Sequence, residues 1–206
     1  MHIISKSDIN IEDIVLALEQ GKIIVYPTET CYGLGCDMEN DVAVQRIFAI
    51  KKRQQEKSVL VIVHDIAMVQ RYVVWNEILE RLAEQYWPGP LTIVAPLRDD
   101  VNVAVGISAE DKTLAFRVSD YPLAHDICQA LGRPLVSTSA NIASFESPYD
   151  IASVCTMFEH ADEQPDIIID AGTLVHHPPS TIVRVLHNEV EILRQGEIKV
   201  EVDNIV

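Results

Sequence analysis

The sequence predicts an α/β protein: a single domain with a twisted mixed β-sheet flanked by helices. Three observations carry that expectation. Short β-branched runs alternate with amphipathic stretches along most of the chain. Towards the C-terminal end, two runs with period-two alternation flank His187-Asn-Glu189, which reads as a β-hairpin and makes the sheet mixed. The length of 206 residues, 48% of them apolar, suits one substantial core. No composition shift, internal repeat or low-complexity tract marks a boundary, so residues 1–206 read as one unit.

The elements follow in order. Asn10 to Gln20 is a helix, with Ile11, Ile14, Val15 and Leu18 on one face, Asn10 as cap and Gly21 as stop. Lys22 to Tyr26 is a strand. Asp41 to about Arg53 is a second helix with Val44, Ile47 and Phe48 inward. Ser58 to Val63 is a near-continuous apolar strand of the kind buried on both faces. Asp65 caps a short helix to about Tyr72. Asn76 caps another, which two prolines end at Tyr86-Trp-Pro-Gly-Pro90. Leu91 to Ala95 and Thr113 to Val118 are strands, and the interval from Arg98 to Lys112 is a surface loop beside the sheet. Asp120-Tyr-Pro122 opens a helix that Gly132 closes. Leu135 to Thr138 is a strand. Ser147-Pro148 signals the start of a helix to about Glu159, and Asp166 to Asp170 is a strand. Thr181 to Leu186 and Val190 to Arg194 form the hairpin.

Charge and composition exclude several classes. A formal net charge of −15 argues against tight, sequence-independent nucleic-acid binding, which depends on cationic neutralisation of phosphates. It leaves room for a local positive groove. No apolar run reaches membrane-spanning length, and the N-terminus lacks a signal-peptide or transit signature, so the expected location is the cytoplasm. Cys31, Cys36, Cys128 and Cys155 form no C-x-x-C pair, and reduced thiols are expected. Walker, G-x-G-x-x-G, H-E-x-x-H and G-x-S-x-G motifs are all missing.

The most informative segment runs from Lys22 to Gly35. A β-branched run stops at Pro27, a polar loop follows, and then two glycines. Lys51, Lys52, Arg53 and Lys57 lie just downstream. A strand, a permissive loop and a knot of positive charge suggest a site for a phosphate-bearing small molecule. Four other segments share the design of an apolar strand carrying or ending in small hydroxyls, glycine, proline or a basic residue. They are Ala115-Phe-Arg117-Val, Val136-Ser-Thr-Ser-Ala-Asn141, Pro179-Ser-Thr-Ile-Val183 and Leu193-Arg-Gln-Gly196. Strand ends of open α/β sheets are where ligands bind. Bland readings stand beside these. Ser137 to Asn141 reads equally as a self-satisfied turn, the basic run as the solvated end of a helix, and Trp87-Pro-Gly-Pro90 as a helix stop with an aromatic anchor. Arg117, a cation inside an apolar strand, demands an anion, and a ligand is one source.

Taken together and in order, Pro27-Thr-Glu-Thr-x-Tyr-Gly-Leu-Gly, Lys51-x-Arg53 with Lys57, Trp87-Pro-Gly-Pro-Leu-Thr92, Phe116-Arg-Val118, Ser137-Thr-Ser-Ala-Asn141, Ser180-Thr181 and Arg194-Gln-Gly196 resemble the YrdC/TsaC family of threonylcarbamoyl-AMP synthases. The resemblance runs from about Ile9 to Ile198 and implies a YrdC-like fold in its short, single-domain form, without the extra C-terminal domain of longer relatives.

The resemblance also implies an enzyme, a nucleotidyltransferase. Its substrates would be L-threonine, bicarbonate or CO2, and ATP with Mg2+; its products would be threonylcarbamoyl-AMP and pyrophosphate. These would serve threonylcarbamoyladenosine modification of tRNA beside the anticodon. A separate tRNA threonylcarbamoyl transferase complex would receive the product, with at most weak or transient tRNA binding by this chain. Carried over by residue, Lys51 and Arg53 would be catalytic. Arg53, Lys57, Thr113, Ser139, Asn141 and Arg194 would bind ATP. Thr30, Arg117, Ser139 and Ser180 would bind threonine, with Arg117 on its carboxylate. No resident metal site is implied. Three departures bear on loop geometry: Gln54 where the family has proline, Ala143-Ser144 where it has Ser-Gly, and Tyr149 where a small hydroxyl is usual. The competing expectation is a non-catalytic RNA-binding or ribosome-maturation factor of the same fold, which the acidic charge disfavours.

Overall fold

The computed structural model describes residues 1–54, 58–202 and 205. Among these, the strands join into one ten-stranded mixed sheet. They are β1 (His2–Ser5), β2 (Ile24–Pro27), β3 (Tyr32–Gly35), β4 (Leu60–Ile62), β5 (Leu91–Pro96), β6 (Thr113–Arg117), β7 (Leu135–Ser139), β8 (Ile167–Asp170), β9 (Thr181–Leu186) and β10 (Glu189–Arg194). The order across the sheet is β1-β8-β2-β3-β7-β4-β6-β5-β9-β10. Pairs β1–β8, β2–β8, β4–β6 and β5–β9 are parallel. Pairs β2–β3, β3–β7, β4–β7, β5–β6 and β9–β10 are antiparallel. The helices are α1 (Ile11–Glu19), α2 (Asp41–Lys51), α3 (Ile66–Val69), α4 (Glu77–Tyr86), α5 (Pro122–Leu131) and α6 (Ile151–Phe158).

The expected caps Asn10, Asp65 and Asn76 accept hydrogen bonds from the first turns of α1, α3 and α4, and Asn40, not foreseen, does the same for α2. Gly132 closes α5 with a left-handed φ of 67°. One start is corrected. Helix α6 begins at Ile151, capped by Asp150, not at Ser147-Pro148. The Pro148 and Tyr149 carbonyls instead accept from Tyr32 and Leu174, so this stretch is held extended between loops. Two strands went unforeseen. Strand β1 is short and exposed at the sheet edge, whereas β3 lies buried between β2 and β7.

Strand β3 explains its own glycines. A Cβ at Gly35 would lie 2.4 Å from the Val136 carbonyl oxygen and 2.8 Å from Tyr26 Cε1. The missing side chain lets the Tyr26 ring lie over the β3–β7 pair, and that pairing aligns Gly33 with Ser139. The loop before Tyr32 is thereby locked beside the end of β7, where two of the candidate segments meet.

Candidate active site

The β2–β3 turn is built around one hydroxyl. Thr28 Oγ1 accepts from the Thr30 and Cys31 N–H groups, both at 3.3 Å, and donates to the Cys31 carbonyl at 2.7 Å. Thr30 Oγ1 sits 3.1 Å away and completes the cluster. Thr28 and Thr30 form part of the wall of a hollow of about 470 Å3, whose other walls carry Arg53, Arg117, Ser139, Ser180 and Arg194.

The far wall comes from the last hairpin. Parallel pairing sets Leu91 opposite Thr181, and Thr92 Oγ1 lies 2.9 Å from Ser180 Oγ. A register shift between Ile192 and Arg194 in β10 accompanies the return of Arg194 towards Ser180. Its Nη2 donates to the Ser180 carbonyl at 2.7 Å and to Ser180 Oγ at 3.1 Å. Burial, and then the nearby Arg117 charge, lower the Arg194 pKa.

Arg117 is 3% exposed, and its Nη1 lies 2.9 Å from Glu29 Oε1. The anion this buried cation requires is thus supplied by the protein itself. Its Nε is buried without a hydrogen-bond partner.

A second, more open hollow of about 560 Å3 adjoins the first, with Arg53 and Ser139 in the walls of both. Lys51 forms its floor and is 3% exposed. Its ammonium donates to the Ser139 carbonyl at 2.5 Å, the Asn141 carbonyl at 2.9 Å and Asn141 Oδ1 at 3.0 Å. Burial, helped by the Arg53 charge, pushes the Lys51 pKa down to about 7. Asn141 Oδ1 also accepts from Ser139 Oγ at 2.6 Å, and its Nδ2 donates to the Phe145 carbonyl. Arg53 Nη2 donates to the Ser58 carbonyl at 2.9 Å, its Nε is buried without a partner, and burial lowers its pKa.

Among the candidates, Thr30, Arg53, Arg117, Ser139, Ser180 and Arg194 therefore meet in the first hollow, and Lys51 and Asn141 join Arg53 and Ser139 in the second. Thr113 is not brought in. It lies at the start of β6, its hydroxyl donates to Asp111 Oδ1 at 2.7 Å, and it belongs to neither wall. Lys57 lies outside the described residues. The sequence reasoning passed over the wall residues Thr92, Ser137, Ser147 and Tyr149. Thr92 and Ser137 carried a usable signal, because both lie in quoted segments and their hydroxyls sit inside apolar strands. Cys31 is a wall residue whose thiol burial pushes up, which opposes a nucleophilic role.

The three departures all fall on these walls. Ser144 adopts a left-handed φ of 76°, which explains why glycine suits that position in the family it resembles. Tyr149 stacks on His176 with centroids 4.1 Å apart and borders the first hollow. Gln54 borders the second.

The fold and site define an α/β domain with a cationic, hydroxyl-lined double hollow opening on a mixed sheet. The chain belongs to the Sua5/YciO/YrdC family, whose sequence profile, described as "Telomere recombination", matches residues 16–196. A threonylcarbamoyl-AMP synthase of Vibrio vulnificus (strain YJ016) is 35% identical over 190 residues, covering 91% of this chain and 98% of that protein. A threonylcarbamoyl-AMP synthase of Vibrio cholerae (strain El Tor Inaba N16961) is likewise 35% identical, covering 91% of this chain and 97% of its own. E. coli YciO superimposes with a TM-score of 0.81 at 26% identity, covering 95% of this chain and 94% of its own. P. abyssi Sua5, solved in complex with L-threonine, gives a TM-score of 0.80 at 28% identity; the match covers 95% of this chain and 57% of the Sua5 chain. The likeness confirms the expected family and fold class.

Proposed function

We propose that this protein is a threonylcarbamoyl-AMP synthase, a nucleotidyltransferase that joins L-threonine, CO2 or bicarbonate, and the AMP part of ATP. The observation that carries this is the pair of connected hollows, which gather Lys51, Arg53, Arg117 and Arg194 inside a chain of net charge −15. The relatives named for this activity, and the Sua5 structure with L-threonine, support it.

The chemistry asks little of a nucleophilic side chain. The neutral amine of threonine adds to CO2, loses a proton and becomes a carbamate. A carbamate oxygen then attacks the α-phosphorus, the bond from α-phosphorus to the bridging oxygen breaks, and pyrophosphate leaves with that electron pair. The protein's task is to align two anions and spread the charge that develops. In this reading the first hollow takes threonine, with Arg117 on its carboxylate and Thr30, Ser139 and Ser180 on its polar groups. The second takes the phosphates with Arg53; the phosphate role expected of Lys57 falls outside the described residues. Lys51 holds the Ser139–Asn141 loop in shape between them, and Arg194 closes the shared wall. Thr113 is left out of this assignment. Mg2+ would enter as part of the ATP complex; among the described residues no group of three or more His, Cys, Asp or Glu side chains is arranged to hold a metal. Hand-off to a tRNA-modifying transferase in the cytoplasm completes the proposal. Among the described residues no helix is long and apolar enough to cross a membrane.

Pyrophosphate release should require threonine and bicarbonate together. Release that is unchanged when threonine is omitted would refute the reading. Arg53→Ala should cost on the order of 10²-fold in turnover with the fold intact, about 3 kcal/mol by analogy with loss of an oxyanion donor.

A further inference from the structure

Glu29 stands between Thr28 and Thr30, yet it does not belong to the wall that both neighbours help to form. Its carboxylate turns behind the wall. Oε1 lies 2.9 Å from Arg117 Nη1, with the two side chains 13% and 4% exposed. Oε2 accepts from Ser119 Oγ, which in turn accepts the Tyr121 N–H at 3.2 Å. A guanidinium offers its donors in a rigid planar fork. Behind the wall Nη1 is engaged by Glu29 in an ion pair; Nε is buried and without a hydrogen-bond partner, and Glu29 Oε1 likewise accepts no hydrogen bond. Arg117 itself lines the hollow. A buried N–H with nothing to donate to, on a cation bordering the first hollow, points to a ligand oxygen as the missing acceptor. The Arg194 guanidinium is close enough for the two charges to repel, so an unheld Arg117 would be pushed off this orientation.

We propose that Glu29 is a positioning residue: it holds the Arg117 guanidinium so that its Nε edge meets the carboxylate of the amino-acid substrate, and it touches no substrate itself. The proposal rests on the threonine-dependent reading above. It gives a reason for the acidic residue inside an otherwise hydroxyl-bearing turn. It also ties that turn, through Ser119, to the start of α5.

The test is steady-state pyrophosphate release by wild type, Glu29→Gln, Glu29→Asp and Glu29→Ala. Threonine, threoninamide and ATP are varied separately. Wild type should prefer threonine over threoninamide, which lacks the carboxylate. Glu29→Ala should raise the threonine KM by about tenfold or more while leaving the ATP KM within about twofold, and it should erase the preference for threonine. Glu29→Asp should restore part of that preference. Glu29→Gln keeps the size of the side chain and an acceptor oxygen, so it covers the case in which Glu29→Ala does not fold. An undiminished preference in the folded variants would overturn the proposal, as would threonine and ATP KM values rising by the same factor. Failure of the underlying reading appears separately, as a wild-type protein that ignores threonine.

Discussion

Lys51 shows how one side chain organises the site. An ammonium has three donors, and here each meets an oxygen of the Ser139–Asn141 turn. The basic run therefore divides. Lys51 is internal, whereas Lys52 stands exposed in a left-handed cap with φ 49°. A cluster of cations near a helix end was legible in the sequence. That its first member would serve backbone carbonyls from another strand was not, because sequence displays charge and hides the acceptors. Burial of Lys51 also sets a pH signature. Its folded pKa of about 7 lies below the ordinary lysine value of 10.5. Below about pH 7 both states hold the proton and the full cost of burying the charge is present. Between about pH 7 and 10.5 the unfolded chain binds more protons, so this residue makes stability rise with pH. Urea denaturation at pH 7 and pH 9 should show wild type gaining stability relative to Lys51→Met. An identical pH dependence in the two proteins would rule this out.

At the scale of elements, β3 is the buried strand that sequence periodicity missed. Tyr32-Gly-Leu-Gly35 has two residues without side chains and reads as a permissive loop. In the structure Gly35 is there for clearance, because Tyr26 and the Val136 carbonyl occupy the space a side chain would fill; a Cβ at Gly33 would meet nothing nearer than 3.3 Å. Gly35→Ala should force β3 and β7 apart and cost about 2–3 kcal/mol or more, measured by chemical denaturation. A cost under about 0.5 kcal/mol would show that the sheet yields easily there. The Ser147-Pro148 signal misled for a related reason: the Pro148 and Tyr149 carbonyls are recruited by the Tyr32 and Leu174 N–H groups, which leaves Asp150 as the next residue able to cap α6. Caps and stops that depend on neighbouring residues were legible, whereas features set by cross-strand clearance were not.

At the scale of the whole molecule, the site draws on residues from Thr28 to Arg194, so it exists only when the central strands and the last hairpin are all in register. The motifs that mark it were readable as separate strand ends. Their convergence was not, since the order β3-β7-β4-β6-β5-β9 interleaves distant segments. One consequence concerns time. Strand β10 is the outermost strand, largely exposed, and joined to the rest through β9. It carries Arg194, and Ser180 lies at the base of the hairpin. This wall of the hollow therefore includes an exposed edge strand, a part of the sheet placed to open locally. Ligands that bridge this wall to Arg117 and Thr30 should slow amide hydrogen exchange in residues 180–194 more than in α4, each tenfold slowing being about 1.4 kcal/mol of added local stability. Unchanged exchange in the hairpin with threonine and a non-hydrolysable ATP analogue bound would show that it does not close on them. If it does slow, the hairpin acts as a clock for occupancy: the interval between its openings sets how long an activated intermediate stays shielded from water.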